Sequence, residues 1–219
     1  SATEGIEEFL SSGDRSLELL FGSQSGNAEG LAAKFAKTAK SYGLEGTVHD
    51  MDGFDFNSLS SKKRVIIVCS TWGEGEQPDN AEELWKFANS DAASRLDGVH
   101  FAVCALGDTS YELFCESGKE WDSIFEKLGA TRIVERIDCD VDYDSPASEW
   151  ALKALPALAA VDSSGNFMEE MVDGITDYAS GSSAVAGGED GFVVPTIETE
   201  AIQVELSVFR FDPSTNSTG

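Results

Sequence analysis

Three short stretches, each following an apolar run, concentrate glycines, hydroxyls and isolated aromatic rings. The first is Ser23-Gln24-Ser25-Gly26-Asn27-Ala28. It enters a segment of helical spacing, and hydroxyls and backbone N–H groups at a helix N-terminus form an anion site. No Walker lysine and no G-x-G-x-x-G follow, which argues against nucleoside triphosphates and dinucleotides. A neutral loop at a helix start suits the dianionic phosphate of a mononucleotide, and a plain strand-to-helix turn would read the same way. The second stretch is Ser70-Thr71-Trp72-Gly73, continuing through Glu74-Gly75-Glu76-Gln77-Pro78. A Trp beside paired glycines either covers a flat ligand or packs under its own loop. The third is Leu106-Gly107-Asp108-Thr109-Ser110-Tyr111-Glu112-Leu113-Phe114-Cys115. It offers one ring, Tyr111, among small polar residues, or else a turn capped by an Asp. Taken together, three such loops outweigh the separate alternatives.

The elements that must position these loops are legible as a pattern. Residues 17–22, 65–70 and 99–106 are nearly continuous apolar runs, as in parallel strands covered on both faces. Residues 46–51 and 132–138 are weaker strands. Between them, residues 29–42, 80–89, 117–128 and 146–159 have helical spacing, with Gly43 and Gly129 at expected C-caps. The pattern predicts an α/β fold, a doubly wound five-stranded parallel sheet with helices on both faces and right-handed crossovers. Ligands of such sheets bind beyond the carboxyl ends of the strands, where the three loops fall.

Around residues 17–161 the composition sets further bounds. Residues 1–16 form an N-terminal extension, residues 162–191 read as a flexible acidic Gly/Ser linker, and residues 192–219 alternate like strands. The chain has 219 residues, 41% of them hydrophobic, and a formal charge of −25. Such a surface repels nucleic acid and anionic membranes and suits cationic partners. The four cysteines lack metal or disulfide spacing. No apolar stretch is long enough to span a membrane and no secretory signal is evident, so an intracellular, reducing location is expected.

SQSGNAEGLA, STWGEGEQPDN and LGDTSYELFCESGKEWD resemble, in order and spacing, the FMN-binding flavodoxin-like domain of the diflavin reductases over about residues 17–160. The third motif with IDCDVDYDSPASEW is most similar to the NADPH-sulfite reductase flavoproteins, and FGSQSGNAE to cytochrome P450 reductase. The resemblance implies an electron-transfer domain of an NADPH-dependent oxidoreductase. Residues 23–28 would hold the FMN phosphate and residues 70–73 would meet the ring and ribityl chain, with Trp72 over one face. Residues 106–115 would line the pyrimidine side, with Tyr111 over the other face, and the Gly73 carbonyl would turn toward the flavin N5. FAD and NADPH would sit on a further module of the same parent, and residues 192–219 would be either its first strands or an unrelated extension. The acceptor would be a basic-surfaced protein with haem, iron–sulfur or thiamine chemistry: a sulfite reductase haemoprotein, a P450-type protein or a fused pyruvate:NADP⁺ oxidoreductase. A free-standing flavodoxin carrier, or a flavodoxin-like interaction domain without FMN, are the alternatives.

Overall fold

Side chains that alternate along a strand fall on opposite faces of its sheet, and the three apolar runs use this to seal two cores. The computed structural model describes residues 1–23 and 25–186. Strands β1 (Ser16–Gly22), β3 (Arg64–Ser70) and β4 (His100–Leu106) send Leu19, Phe21, Ile66, Val68, Ala102 and Cys104 to one face. Leu20, Val65, Ile67, Phe101 and Val103 go to the other. Helices α2 (Asn27–Ala39) and α5 (Asp144–Ala159) cover the first face, while α3 (Glu82–Ala88) and α4 (Glu116–Lys127) cover the second.

The weaker strand β2 (Glu45–Asp50) pairs with β1, whose other neighbour is β3, and the path continues to β4 and β5 (Thr131–Arg132). All these pairs are parallel, in the order β2-β1-β3-β4-β5. The chain reverses direction across the sheet at β1, so the carboxyl ends of β1 and β3 flank the switch point. The expected fifth strand is interrupted: β5 pairs with the start of β4, and β6 (Ile137–Cys139) with its end. The break has a polar cause. Arg132 Nε and Arg136 Nη1 donate to the two oxygens of Asp122 (2.8 and 3.0 Å), and the Glu135 carbonyl accepts from the Trp150 indole (2.9 Å) instead of a strand.

The linker expected over residues 162–191 needs correction where the structure describes it. Asp162 accepts from the amides of Ser164 and Asn166 (both 2.9 Å), Val161 pairs with Phe167, and α6 (Val172–Ala186) follows. Ile175 and Ala179, four residues apart, bury one helical face in the core, joined there by Leu10 of α1 (Ala2–Ser11). Val172 and Tyr178 pack against that core partly buried, and the small polar composition hid this sparse anchor. The strands expected over residues 192–219 lie outside the described residues.

At the amino ends of the strands, the fully buried Arg64 donates to the carbonyls of Asp14, Ser16, Leu158 and Val161. Arg15 adds donors to Ala159 (2.8 Å) and Val161 (3.3 Å). Together they satisfy the carbonyls at the C-terminus of α5, where cations also oppose the helix dipole. Beside them His100 is buried and its Nδ1 has no partner among the described residues. Burial, then the Arg64 charge, holds its pKa below the ordinary 6.5. The folded chain therefore binds this proton less readily than the unfolded chain, and stability rises with pH up to about 6.5. Between about pH 7 and pH 5 the stability of His100→Asn is expected to fall less than that of the parent, by up to about 1.4 kcal/mol per pH unit. Thermal melts across that range check it, and parallel curves would refute it.

Candidate functional site

Because β1, β3 and β4 are neighbours, the loops that leave their carboxyl ends adjoin one another. After β1, Ser23 Oγ accepts from the amides of Gly26 (2.9 Å) and Ala28 (3.4 Å). Those N–H groups thus converge on one oxygen position at the start of α2, where the helix dipole favours an anion. Gly26, the N-cap of α2, has φ +88°, a conformation that glycine adopts without strain. Asn80 ties this loop down: its Oδ1 accepts from Ser23 N (2.9 Å), and its Nδ2 donates to Phe21 O (3.3 Å) and Asp50 Oδ1 (3.0 Å). Ser25 and Asn27 stand in the loop half-buried, Ala28 is fully buried, and Gln24 lies outside the described residues.

The loop after β3 is a closed turn. Trp72 N donates to Glu76 O (2.9 Å), and Trp72 O accepts from Gly75 N (3.0 Å) and Glu76 N (2.8 Å). Gly73 within it has φ +49°. Thr71 N donates to Leu106 O (3.0 Å), which holds the turn against β4. The Trp72 side chain stays 52% exposed.

The loop after β4 is fixed by the segment that follows β6. Cys139 O accepts from Gly107 N (2.9 Å) and from the Cys115 thiol (3.6 Å), which closes both ends of the loop. Asp140 accepts from Thr109 N (3.2 Å) and Thr109 Oγ1 (2.6 Å). These bonds, the Thr109 hydroxyl foremost, hold the Asp140 carboxyl below the usual carboxylate range, so it keeps its charge. Asp108 accepts from Ser110 N (2.8 Å), and Tyr111 projects from this turn 49% exposed. Leu106 and Cys115, at the two ends of the loop, are buried, and Cys115 caps α4 at φ +58°. Burial, then the nearby Asp138, pushes its thiol up to about 12, so it remains protonated.

Among the described residues, six large hydrophobic side chains are exposed, and Trp72, Tyr111, Leu113 and Val141 all stand at this carboxyl edge. Leu113 packs on Gly75, where an added Cβ would lie 2.8 Å from its Cδ1, which joins the second loop to the third. The edge carries Glu74, Glu76, Asp108, Glu112, Asp140 and Asp142 and no Lys or Arg within residues 70–79 or 107–116. No group of three His, Cys, Asp or Glu residues suited to a metal occurs among the described residues. Nor is any helix there long and apolar enough to cross a membrane. The arrangement offers an anion cradle at one end and two exposed rings at the other. The roles of Asn80, Gln77, Ser117 and Asp140 are not legible from the sequence, although Gln77 and Asn80 lie within the STWGEGEQPDN motif.

The flavodoxin family model matches residues 19–154. The NADPH sulfite reductase flavoprotein alpha-component of Vibrio parahaemolyticus is 46% identical over 153 residues, 70% of this chain and 25% of that one. The corresponding component of Bacillus subtilis is 46% identical over 144 residues, 66% of this chain and 24% of its own. The chain therefore spans about a quarter of the length of the curated relatives it matches. Among solved structures, a flavodoxin from Pseudomonas aeruginosa superposes with a TM-score of 0.59 at 28% identity, over 65% of this chain and 98% of that one.

Proposed function

The chain belongs to the flavodoxin family, and from that premise we propose that it binds one FMN and passes single electrons to a basic partner. Bound FMN would supply reversible one-electron chemistry, which no side chain at this edge offers. The carrying observation is the pairing of two half-exposed rings, Trp72 and Tyr111, with convergent amides at the N-terminus of α2. Residues 23–28 take the phosphate, and Trp72 and Tyr111 flank the ring and keep water from its faces. Gly73 places a peptide beside the ring, and residues 106–115 line its pyrimidine side. Asp140 and its acidic neighbours hold negative charge around the edge, which disfavours extra negative charge within the site.

The FAD- and NADPH-binding module would belong to the same parent protein, as the flavoprotein names and lengths of the relatives suggest. A free-standing carrier is the second reading, favoured by a likeness that takes in 98% of a flavodoxin chain. In either case the acidic edge docks a cationic acceptor of haem, iron–sulfur or thiamine chemistry. To test this, the FMN-loaded chain is reduced chemically and mixed with a basic cytochrome. The transfer rate is expected to fall several-fold from about 0.01 M to about 0.15 M salt, as the Debye length contracts from about 30 to about 8 Å. A rate indifferent to salt would refute charge-guided docking. No transfer at all would refute the carrier reading.

A further inference from the structure

The turn that carries Trp72 is held from outside by α4. Ser117, fully buried, uses all three of its polar groups on it. Its amide donates to Thr71 Oγ1 (3.1 Å), its hydroxyl donates to Glu76 O (2.7 Å), and its carbonyl accepts from Gln77 Nε2 (3.3 Å). Gln77 continues the attachment. Its Nε2 also donates to Glu120 Oε2 (3.2 Å), while its Oε1 accepts from the buried Trp121 indole (2.9 Å). An indole N–H can only donate and a carbonyl can only accept, so the Gln77 amide has one workable orientation. A flipped amide would set N–H against N–H and leave the Ser117 carbonyl facing an oxygen.

Glu76 O closes the turn on Trp72 N and is the same atom that takes the Ser117 hydroxyl bond. The next residue is Gln77. The pose of the Trp72–Gly73 peptide thus follows the position of α4, and the Tyr111 loop runs directly into that helix through Cys115. One helix registers both rings. We propose that Gln77 is a positioning residue of the site, fixing the Trp72 turn to α4 so that the two rings stand at a constant separation. This rests on the FMN reading above; the clamp itself is a property of the flavin-free chain.

Hydrogen exchange of the flavin-free protein tests it. Gln77→Leu keeps the approximate volume of the side chain and removes its donors and acceptor. Exchange at the Gly75 and Glu76 amides is expected to quicken about ten-fold, the effect of a net hydrogen bond or two, with the β1 amides unchanged. The FMN dissociation constant should rise by a similar factor, while the ratio of FMN to riboflavin affinity holds, since the phosphate loop is separate. The exchanged pair Q77E/E120Q moves the amide to α4, where it donates to the new carboxylate in the turn. That carboxylate can still accept from the Trp121 indole but offers the Ser117 carbonyl no donor, so the pair should restore part of the protection. Unchanged exchange at residues 75 and 76 in Gln77→Leu would overturn the proposal. Should that variant loosen the whole fold, failure of the exchanged pair to recover local protection would overturn it instead. A parent chain that binds no FMN, yet shows the local quickening in Gln77→Leu, would overturn the FMN reading and leave the clamp standing.

Discussion

Arg64→Ala is expected to lower the unfolding free energy by about 3–5 kcal/mol, the largest effect of any single change at a charged residue here. The guanidinium is fully buried and reaches four backbone carbonyls from two distant segments, residues 14–16 and 158–161. Each carbonyl left without a partner costs part of its desolvation, and the truncated stem leaves a cavity as well. At about 2–4 °C per kcal/mol for a domain of this size, the melting temperature should fall by roughly 6–20 °C. Arg95→Ala is the control. That side chain is exposed and, among the described residues, pairs with Asp97 two residues away, so its loss should leave the melt unchanged. Equal melting curves for the two variants would contradict the role assigned to Arg64.

The largest functional effect is expected from Trp72→Ala combined with Tyr111→Ala. Stacking of a flat heterocycle on an aromatic side chain contributes about 1–3 kcal/mol per ring. Loss of both should therefore weaken FMN binding by about thirty-fold or more, since each 1.4 kcal/mol is ten-fold. Both rings are half-exposed in the flavin-free chain, at 52% and 49%. Their truncation opens no internal cavity, and the melting temperature of the flavin-free protein should stay put. Phe at either position keeps a ring and should retain most of the affinity. Calorimetric titration separates the cases. Undiminished binding by the double variant would show that the rings flank nothing.

Much of this was legible because parallel strands buried on both faces leave continuous apolar runs, and residues 17–22, 65–70 and 99–106 are such runs. The loops after them could then be placed at one edge from topology alone. Three features were not legible. The fifth strand position is broken by Arg132 and Arg136 converging on Asp122, a contact between segments that no local pattern records. Helix α6 hides in a Gly/Ser/Ala-rich stretch because few apolar residues, the buried Ile175 and Ala179 with the partly buried Val172 and Tyr178, anchor it among the described residues. Gln77 and Ser117 look like ordinary loop and helix residues, and only their mutual geometry reveals a clamp. Composition reports what a segment is made of; it is silent on which distant groups meet.

A single FMN held between Trp72 and Tyr111, with its phosphate at residues 23–28, has a plain optical consequence. Flavin fluorescence is followed while the flavin-free chain is added to FMN. Close stacking on aromatic rings should quench the emission in proportion to added protein until one equivalent is reached, with the double variant quenching little at the same concentrations. Emission and absorption that stay those of free FMN through an excess of folded protein would contradict FMN binding at this edge.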